Sequence, residues 1–362
     1  HTLPRTCTVS LAVTLADLQK QAGAVFADDL STAPLNYGNP HGEYAIAGAE
    51  AGLVDFSQRC HFELTGRDRM KFLQNFCTND IMALESGKGC EAFLTSLQGK
   101  VLAHLFVFAD DERLLLEAAA GTEEVIAAHL GKYRITEDVE IARRSHDWGE
   151  LLLTGPDCAQ RLVDRGVAAE ELPPMGHREA NVDGIAFQLR RIDWTSQPGF
   201  ALVAPREELP AIWTRLVDAG FRPVGSQAFH AQRIEACMPW DRADITDDNL
   251  AQEVGRTAQA ISFSKGCYLG QEPIARIDAL GHVNRELRGL RLATGPVPAP
   301  ETPIVGHDGG SPIGKVTSAA FCYQNDLPVA LAYLRRNHLE PGSTVYVQQD
   351  GELTPATVFW RD

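Results

Sequence analysis

The amino-acid sequence predicts an α+β protein with mixed or antiparallel sheets, helices between the strands, and a C-terminal antiparallel β-barrel. Strand-like apolar runs alternate irregularly with helix-like amphipathic segments, an order typical of α+β proteins rather than of a doubly wound parallel sheet. A Pro-rich stretch at residues 295–300 marks a boundary. After it, short strands separated by glycines indicate a small all-β module.

The individual elements follow from local patterns. Residues 15–26 place apolar side chains at helical spacing behind Thr14, a suitable N-cap, and predict an opening helix. Residues 62–76 predict a strand, a turn and a helix, and residues 92–116 predict an antiparallel meander followed by a helix at 122–130. Further strands are predicted at 150–153, 184–190 and 200–203, with helices at 157–165 and 207–220 between them.

Composition limits the possible partners. The chain has 362 residues, enough for two or three domains. Its 33 Lys and Arg against 48 Asp and Glu give a net charge of −15, which disfavours bulk nucleic-acid binding. Because the sequence has neither a signal-peptide pattern nor an apolar stretch of about 20 residues, we expect no membrane partner and a cytoplasmic location.

The cysteines are scattered and lack C-x-x-C spacing. This usage is typical of free thiols in a reducing compartment and predicts no metal site. The eight positions are Cys7, Cys60, Cys77, Cys90, Cys158, Cys237, Cys267 and Cys322.

The segment richest in candidate chemistry is residues 265–272, here called the signature segment. Glycines 266 and 270 bracket the Cys267 thiol and let the backbone approach a ligand, while Lys265 favours the thiolate if its ammonium faces the sulfur. Cys267 and Lys265 are therefore the candidate catalytic residues, with Cys267 as a nucleophile or soft metal ligand. The alternative is a buried cysteine in a Gly-flanked turn.

The signature segment resembles the K-G-C-Y-x-G-Q-E motif of the YgfZ family, whose members are similar in fold to the glycine-cleavage T-protein, GcvT. Residues 233–236 and 244–250 resemble the R-I-E-A and D-I-T-x-x-N-L segments of that family. Residues 54–57, 64–68, 72–74 and 78–80 resemble the T-protein pattern, and residues 288–290 and 314–318 resemble its barrel.

The resemblance implies a domain arrangement and a ligand. We expect residues 1–23 to form an N-terminal extension of uncertain role, residues 24–285 a GcvT/YgfZ-like folate-binding core of two subdomains, and residues 286–362 the barrel. The expected cofactor is tetrahydrofolate or a one-carbon derivative, bound in a central pocket.

The resemblance also implies a function. It favours an accessory factor rather than an enzyme, one that assists maturation or repair of iron–sulfur proteins and uses the signature cysteine. Iron–sulfur client proteins or assembly factors would then be partners. The main alternative is a folate-dependent one-carbon transferase or demethylase of the aminomethyltransferase type. A third possibility is a folate-binding module without Cys267 chemistry.

Several residues are candidates for binding the cofactor. Trp194 can stack on a ring, and the planar guanidinium of Arg233 can pair with a carboxylate or a pterin oxygen. Asn79 lies in a Thr-Asn-Asp run. The alternatives are that Trp194 is an ordinary strand aromatic, that Arg233 forms a structural ion pair and that Asn79 stabilises a turn. Arg256, Arg276 and Arg285 are weaker candidates for the acidic tail of folate. The full predicted set is Trp194, Arg233, Glu235, Gly266, Tyr268, Gly270, Gln271, Glu272 and Asn79.

Three carboxylates of the T-protein pattern are missing. T-proteins place a catalytic aspartate in a G-G-x-x-D-D run, where this chain has Ala103 and His104. Aminomethyl transfer needs a group that holds and deprotonates the folate nitrogen, and a lone His in an apolar run is more often structural. The glutamate that grips the pterin in T-proteins corresponds to Ala201. These departures favour the accessory factor over the transferase.

Overall fold

The computed structural model describes residues 13–27, 33–307 and 310–361, so Cys7 and most of the expected N-terminal extension lie outside the described residues. The helices are α1 (Leu15–Gln21), α2 (Pro40–Ala49), α3 (Arg69–Gln74), α4 (Glu123–Tyr133), α5 (Cys158–Val163), α6 (Leu209–Asp218), α7 (Ser226–Glu235), α8 (Thr257–Ala260) and α9 (Gln271–Leu280). The strands are β1 (Gly52–Asp55), β2 (Cys60–Thr65), β3 (Lys88–Thr95), β4 (Val101–Ala109), β5 (Leu114–Ala118), β6 (Glu140–Arg143), β7 (Trp148–Thr154), β8 (His177–Val182), β9 (Ile185–Arg191), β10 (Gly199–Pro205), β11 (Arg222–Pro223), β12 (Arg285–Leu292), β13 (Pro303–Val305), β14 (Gly314–Cys322), β15 (Leu327–Arg335), β16 (Thr344–Gln349) and β17 (Glu352–Phe359).

These strands form two sheets and a barrel. A five-stranded antiparallel sheet has the order β3-β4-β5-β2-β6 and contains the predicted meander. A six-stranded sheet has the order β11-β1-β7-β10-β9-β8 and is mixed, because β1 pairs in parallel with β11. The C-terminal strands close an antiparallel barrel of order β12-β15-β14-β13-β16-β17. The predicted α+β class and the C-terminal barrel are confirmed.

The opening helix is shorter than predicted. Thr14 caps it through a hydrogen bond from the Asp17 amide to the Thr14 hydroxyl at 3.2 Å. Gly23 lies just past the end with a φ of 90°, a left-handed conformation that stops a helix and favours glycine. The side chain of Gln19 is buried and donates to Asp55 at 2.7 Å, so α1 packs onto β1.

Helix α7 joins the three parts of the molecule. An aromatic and aliphatic cluster packs Phe229 of α7 against Phe106 of the five-stranded sheet and Leu152 of the six-stranded sheet. A second cluster packs Ile234 of α7 against the barrel residue Leu331. Helix α7 therefore packs against both sheets and against one side of the barrel. Across the described ranges, no helix combines the length and the apolar character needed to cross a bilayer.

Candidate functional site

The signature segment is anchored to the loop between α3 and β3. The Lys265 ammonium donates to the carbonyls of Gln74, Cys77 and Asn79 at 2.8, 2.6 and 2.7 Å. It also lies 4.8 Å from the ring centre of Tyr268. Burial lowers the pKa of Lys265. The ammonium thus binds backbone carbonyls rather than facing the thiol as expected, and a catalytic role for Lys265 stays a prediction without a supporting contact.

Asn79 belongs to the same anchor. Its side-chain amide donates to the carbonyls of Glu91 and Gln259, both at 2.8 Å. Both amide hydrogens are therefore used in connecting three chain segments. The Thr-Asn-Asp run and the signature segment, which the sequence marks separately, form one structural unit. Cofactor binding by Asn79 stays a prediction.

Cys267 lies at the surface of this unit. Its thiol is exposed and has no hydrogen bond or ion pair to any described residue. Gly266 beside it lacks a positive φ, and a Cβ added there would meet nothing within 4 Å. The backbone does not require glycine at this position, and the thiol is open to solvent. The interpretation of Cys267 as a cysteine buried in a turn is wrong.

The rest of the signature segment leads into α9. Gly270 has a φ of 84°, and a Cβ there would lie 2.4 Å from the Ser96 carbonyl oxygen, so glycine is required. Tyr268 is buried beneath the segment. Gln271 is half-buried and Glu272 is exposed in the first turn of α9.

Trp194 is enclosed by other aromatic side chains. Its ring centre lies 5.1 Å from that of Phe106, 5.3 Å from that of Trp240 and 5.7 Å from that of Phe56. The Arg59 guanidinium lies 4.7 Å from the Trp194 ring centre, a cation–π distance. Only 2% of the Trp194 side chain is exposed, so stacking of Trp194 on a ligand would require these neighbours to move.

Arg233 and Glu235 connect α7 to its surroundings. Arg233 donates to Asp244 at 2.7 Å, to the Met238 carbonyl at 3.1 Å and to His230 at 2.9 Å. Glu235 accepts hydrogen bonds from Tyr44 of α2 and Cys322 of the barrel. Both side chains already have protein partners, and their binding to folate stays a prediction.

A cleft of about 560 Å³ opens where the parts meet, and we call it the Glu91 cleft. It lies beside β3, the end of β9 and the end of α7. Polar and charged groups are concentrated in its wall. The lining residues include Glu91, Arg191, Asp193, Met238, Arg256 and Arg361.

Glu91 is the most deeply buried carboxylate of this cleft. His104 Nε2 lies 3.1 Å from Glu91 Oε2. Arg256 donates to both carboxylate oxygens, from Nε to Oε2 at 3.0 Å and from Nη2 to Oε1. Burial raises the pKa of Glu91, but the hydrogen bond from His104 and the charge of Arg256 outweigh it and hold the pKa at about 2. The carboxylate is therefore ionised at neutral pH.

The structure places the three positions that lack the carboxylates of the T-protein pattern. Ala103 faces the core of the five-stranded sheet, whereas His104 points the other way, towards Phe106 and Glu91. Ala201 pairs in register with Arg190 of β9. Sequence reasoning missed Glu91, although a single acid in the apolar run of β3 was a signal.

The remaining arginine candidates differ in their location and partners. Arg256 lines the Glu91 cleft as a partner of Glu91. Arg285 pairs with Glu253 at 3.1 Å, and Arg276 lies exposed on α9. Arg361, which the sequence did not mark, lines the cleft and donates to Ser196. It forms no ion pair with any residue that the structure describes. No cluster of three or more His, Cys, Asp or Glu side chains suited to a metal ion occurs within the described ranges.

The chain is similar to known proteins along nearly its whole length. The family described as "GCVT N-terminal domain" matches residues 15–265, and "Glycine cleavage T-protein C-terminal barrel domain" matches residues 285–361. An aminomethyltransferase of Symbiobacterium thermophilum is 28% identical over 338 residues, covering 90% of this chain and 89% of the relative. An aminomethyltransferase of Desulfitobacterium hafniense strain Y51 is 25% identical, covering 90% of each chain.

A solved structure gives the same result. The glycine cleavage system aminomethyltransferase T from Bartonella henselae superposes with a TM-score of 0.86 at 25% identity, covering 95% of both chains. These relatives favour the one-carbon transferase, which the sequence analysis held as its alternative, over the accessory factor. The narrower resemblance to YgfZ stays a prediction. With both of its domains matched in order, the chain belongs to the GCVT family.

Proposed function

We propose that this chain is a tetrahydrofolate-dependent one-carbon transferase of the aminomethyltransferase type. The observation that carries the proposal is the likeness to aminomethyltransferases over about nine-tenths of both chains. The aminomethyltransferases of this family use tetrahydrofolate, which agrees with the cofactor expected from the sequence.

The Glu91 cleft fits such a ligand. Its volume lies within the range of about 300–1,000 Å³ that is common for small-molecule sites. The Arg361 guanidinium, without an ion pair among the described residues, suits a ligand carboxylate such as the acidic tail of folate. Met238 and Ile192 supply apolar wall for a ring.

His104 and Glu91 supply acid–base chemistry in place of the missing aspartate. Nε2 of His104 faces Glu91, and Nδ1 has no hydrogen bond to any residue within the described ranges. Nδ1 can therefore accept a proton, and the ionised Glu91 would stabilise the resulting imidazolium. The His104 side chain is only 2% exposed and does not line the cleft, so an attacking amine nitrogen must enter beside the ring to transfer its proton. The carboxylate of this pair, Glu91, lies on β3, whereas the position of the missing aspartate lies on β4.

The test is one-carbon transfer itself. The purified chain is mixed with an aminomethyl donor and tetrahydrofolate, and released ammonia and 5,10-methylenetetrahydrofolate are measured. We expect turnover that His104→Gln lowers by about 10²–10⁴-fold and that His146→Gln, a change at an exposed histidine, leaves unchanged. Absence of ammonia release from the wild-type chain at saturating tetrahydrofolate would refute the proposal.

The exposure of Cys267 favours a second candidate function, the accessory factor for iron–sulfur proteins. An accessible thiol beside an unobstructed Gly266 can reach a partner or a cluster without rearrangement. In a deletion host, Cys267→Ala should then abolish rescue of iron–sulfur enzyme activity, while Ser264→Ala preserves it. Full rescue by Cys267→Ala would eliminate this candidate.

A further inference from the structure

A second cleft opens between the two sheets, and we call it the inter-sheet cleft. Its volume is about 330 Å³, near the lower end of the range common for small-molecule sites. Strand β5 lies on one side, and β7, β8, β9 and β10 lie on the other. Leu115, Trp148 and Val203 supply apolar surface, while Glu179 and Arg190 supply opposite charges. No described residue lines both this cleft and the Glu91 cleft.

Arg190 is enclosed by the protein but incompletely paired. Its side chain is only 1% exposed. Nε donates to Gln188 at 2.7 Å and Nη1 donates to Glu117 at 3.2 Å, whereas Nη2 donates to no residue that the structure describes. The other cation of the cleft, Arg113, already pairs with three carboxylates, of which that of Asp110 is nearest at 2.7 Å. Nη2 of Arg190 is therefore the donor that a ligand in the cleft can use.

The buried charges around Arg190 are unequal. Glu117 accepts from both Arg190 and Arg59, at 3.2 and 2.7 Å. Glu150 is fully buried, neither of its oxygens accepts a hydrogen bond from a described residue, and His61 lies 3.6 Å away. Burial and the charge of Glu117 raise the pKa of Glu150, which favours its neutral form. Two guanidinium charges therefore share one carboxylate, and an anionic group at Nη2 would restore the balance.

Glu179 presents a negative group at the same cleft. Its Oε1 accepts from Arg113 Nη2 at 3.1 Å and from Gln188 Nε2 at 3.5 Å, whereas Oε2 accepts from no described residue. The Gln188 amide thus bridges Arg190 Nε to Glu179 Oε1. Nη2 lies next to Nε on the same edge of the guanidinium, and Oε2 lies next to Oε1. A ligand that carries an acceptor and a donor close together can form a second bridge beside the Gln188 amide.

An α-amino acid with an aliphatic side chain has the matching groups. Its carboxylate and its ammonium are attached to one carbon, so its acceptor and donor lie nearly as close together as the oxygen and nitrogen of an amide. Charge-assisted hydrogen bonds to Arg190 and Glu179 are stronger than neutral ones. The aliphatic group would pack on the apolar surface of the cleft. A simple anion fits less well, because the Glu179 carboxylate would repel it.

We propose that the inter-sheet cleft binds an α-amino acid with an aliphatic side chain, whose carboxylate pairs with Arg190 and whose ammonium pairs with Glu179. The site is separate from the Glu91 cleft, and the inference does not depend on the proposed one-carbon transfer.

Calorimetry of the full chain with L-valine and L-leucine at pH 7 tests the proposal. We expect saturable binding with a dissociation constant of about 1 mM or below. The deamino analogue 4-methylpentanoate and the decarboxylated analogue 3-methylbutylamine should each bind about 10-fold or more weakly than L-leucine. Equal affinity for 4-methylpentanoate and L-leucine would indicate a general anion site and overturn the proposal. Absence of saturable binding of both amino acids at about 10 mM would also overturn it.

A substitution at the mouth locates the binding and separates recognition from a structural role. Glu179→Gln should weaken binding of L-leucine by about 3–10-fold without weakening that of 4-methylpentanoate, because only the ammonium loses its partner. The loss is modest because the Glu179 side chain is 65% exposed and water competes there. The control is Glu171→Gln, a change at an exposed carboxylate outside the cleft, which should leave both affinities unchanged. Equal effects of the two substitutions would contradict the assignment of Glu179.

Arg190→Gln removes the donor to the carboxylate and should abolish binding of L-leucine, with circular dichroism as the check on folding. If this variant does not fold, Ala186→Trp replaces it, because Ala186 is an exposed residue of the cleft wall and its substitution keeps the buried charges. The indole should fill the cleft and weaken binding of L-leucine by about 10-fold or more. Full affinity for L-leucine in either folded variant would place the ligand elsewhere and overturn the proposal.

Discussion

Individual side chains in this protein are held in place by hydrogen-bond partners that lie far away in the sequence. Glu91 is held by His104 from the next strand and by Arg256, which lies 165 positions along the chain. Lys265 is held by three carbonyls, one at the end of α3 and two in the loop that follows it. The groups that accept hydrogen bonds from Lys265 lie about 190 positions away, although its ammonium also lies over the ring of the nearby Tyr268.

The environment of Glu91 predicts a pH dependence. Its pKa falls from the ordinary 4.5 to about 2 on folding, so its stabilising contribution is complete above pH 4.5 and is lost as the pH falls towards 2. A depression of this size corresponds to about 3 kcal/mol. Urea unfolding of wild type and Glu91→Gln should show a difference in free energy of unfolding that is constant from pH 7 to 5 and shrinks below pH 4.5. A difference that stays constant down to pH 2.5 would contradict this assignment.

At the scale of elements, the signature segment is a loop anchored at both ends. Lys265 fixes its start, and Leu269 fixes its end through a hydrogen bond from its amide to the Asn75 carbonyl at 2.8 Å. The exposed Cys267 lies between these anchors. The anchoring explains why a solvent-facing thiol has a defined position.

The two glycines of this loop should respond differently to substitution. Gly270→Ala forces a left-handed conformation on alanine and places Cβ against the Ser96 carbonyl, so we expect a loss of about 2–4 kcal/mol. Gly266→Ala should change stability by no more than about 0.5 kcal/mol, because nothing lies near its Cβ. Chemical denaturation measures both, and equal effects would refute the anchored-loop interpretation.

At the scale of the whole molecule, Asp244 connects the core to the barrel. One carboxylate oxygen accepts from Arg233 and from the Trp240 amide, at 2.7 and 2.9 Å. The other oxygen accepts from Thr317 and Ser318 of β14. The carboxylate is fully buried and its hydrogen-bonding capacity is filled.

Removal of this carboxylate should weaken the junction. Asp244→Ala leaves the buried Arg233 without its ion-pair partner, and we expect a loss of about 3–5 kcal/mol. The control is Asp247→Ala, which changes an exposed carboxylate in the same segment. Calorimetric unfolding should show a lower midpoint for the first variant and an unchanged midpoint for the second. An unchanged midpoint in Asp244→Ala would show that the junction does not depend on this carboxylate.

Local patterns made much of the fold predictable. Periodicity located the meander of β3, β4 and β5, because it depends on neighbouring residues. The Pro-rich stretch at residues 295–300, predicted as a boundary, instead lies between β12 and β13 of the same barrel, so that prediction was wrong. Helix α2 was missed, although Asn39 caps it and Pro40 occupies its first position. The candidate site was less predictable. The sequence marked Cys267 and Trp194 as candidates, but it could not show that the Cys267 thiol is exposed or that Trp194 is enclosed.

The sequence alone determined the fold class, the order of the domains and the absence of carboxylates at Ala103 and Ala201. Only the tertiary structure decided that Lys265 binds carbonyls, that Arg233 and Asp244 join core to barrel, and that a carboxylate from β3 faces the cleft. The physical reason is that hydrophobic periodicity acts over a few residues. The direction of a charged side chain is set by whichever distant groups the packed sheets and barrel bring within hydrogen-bonding distance.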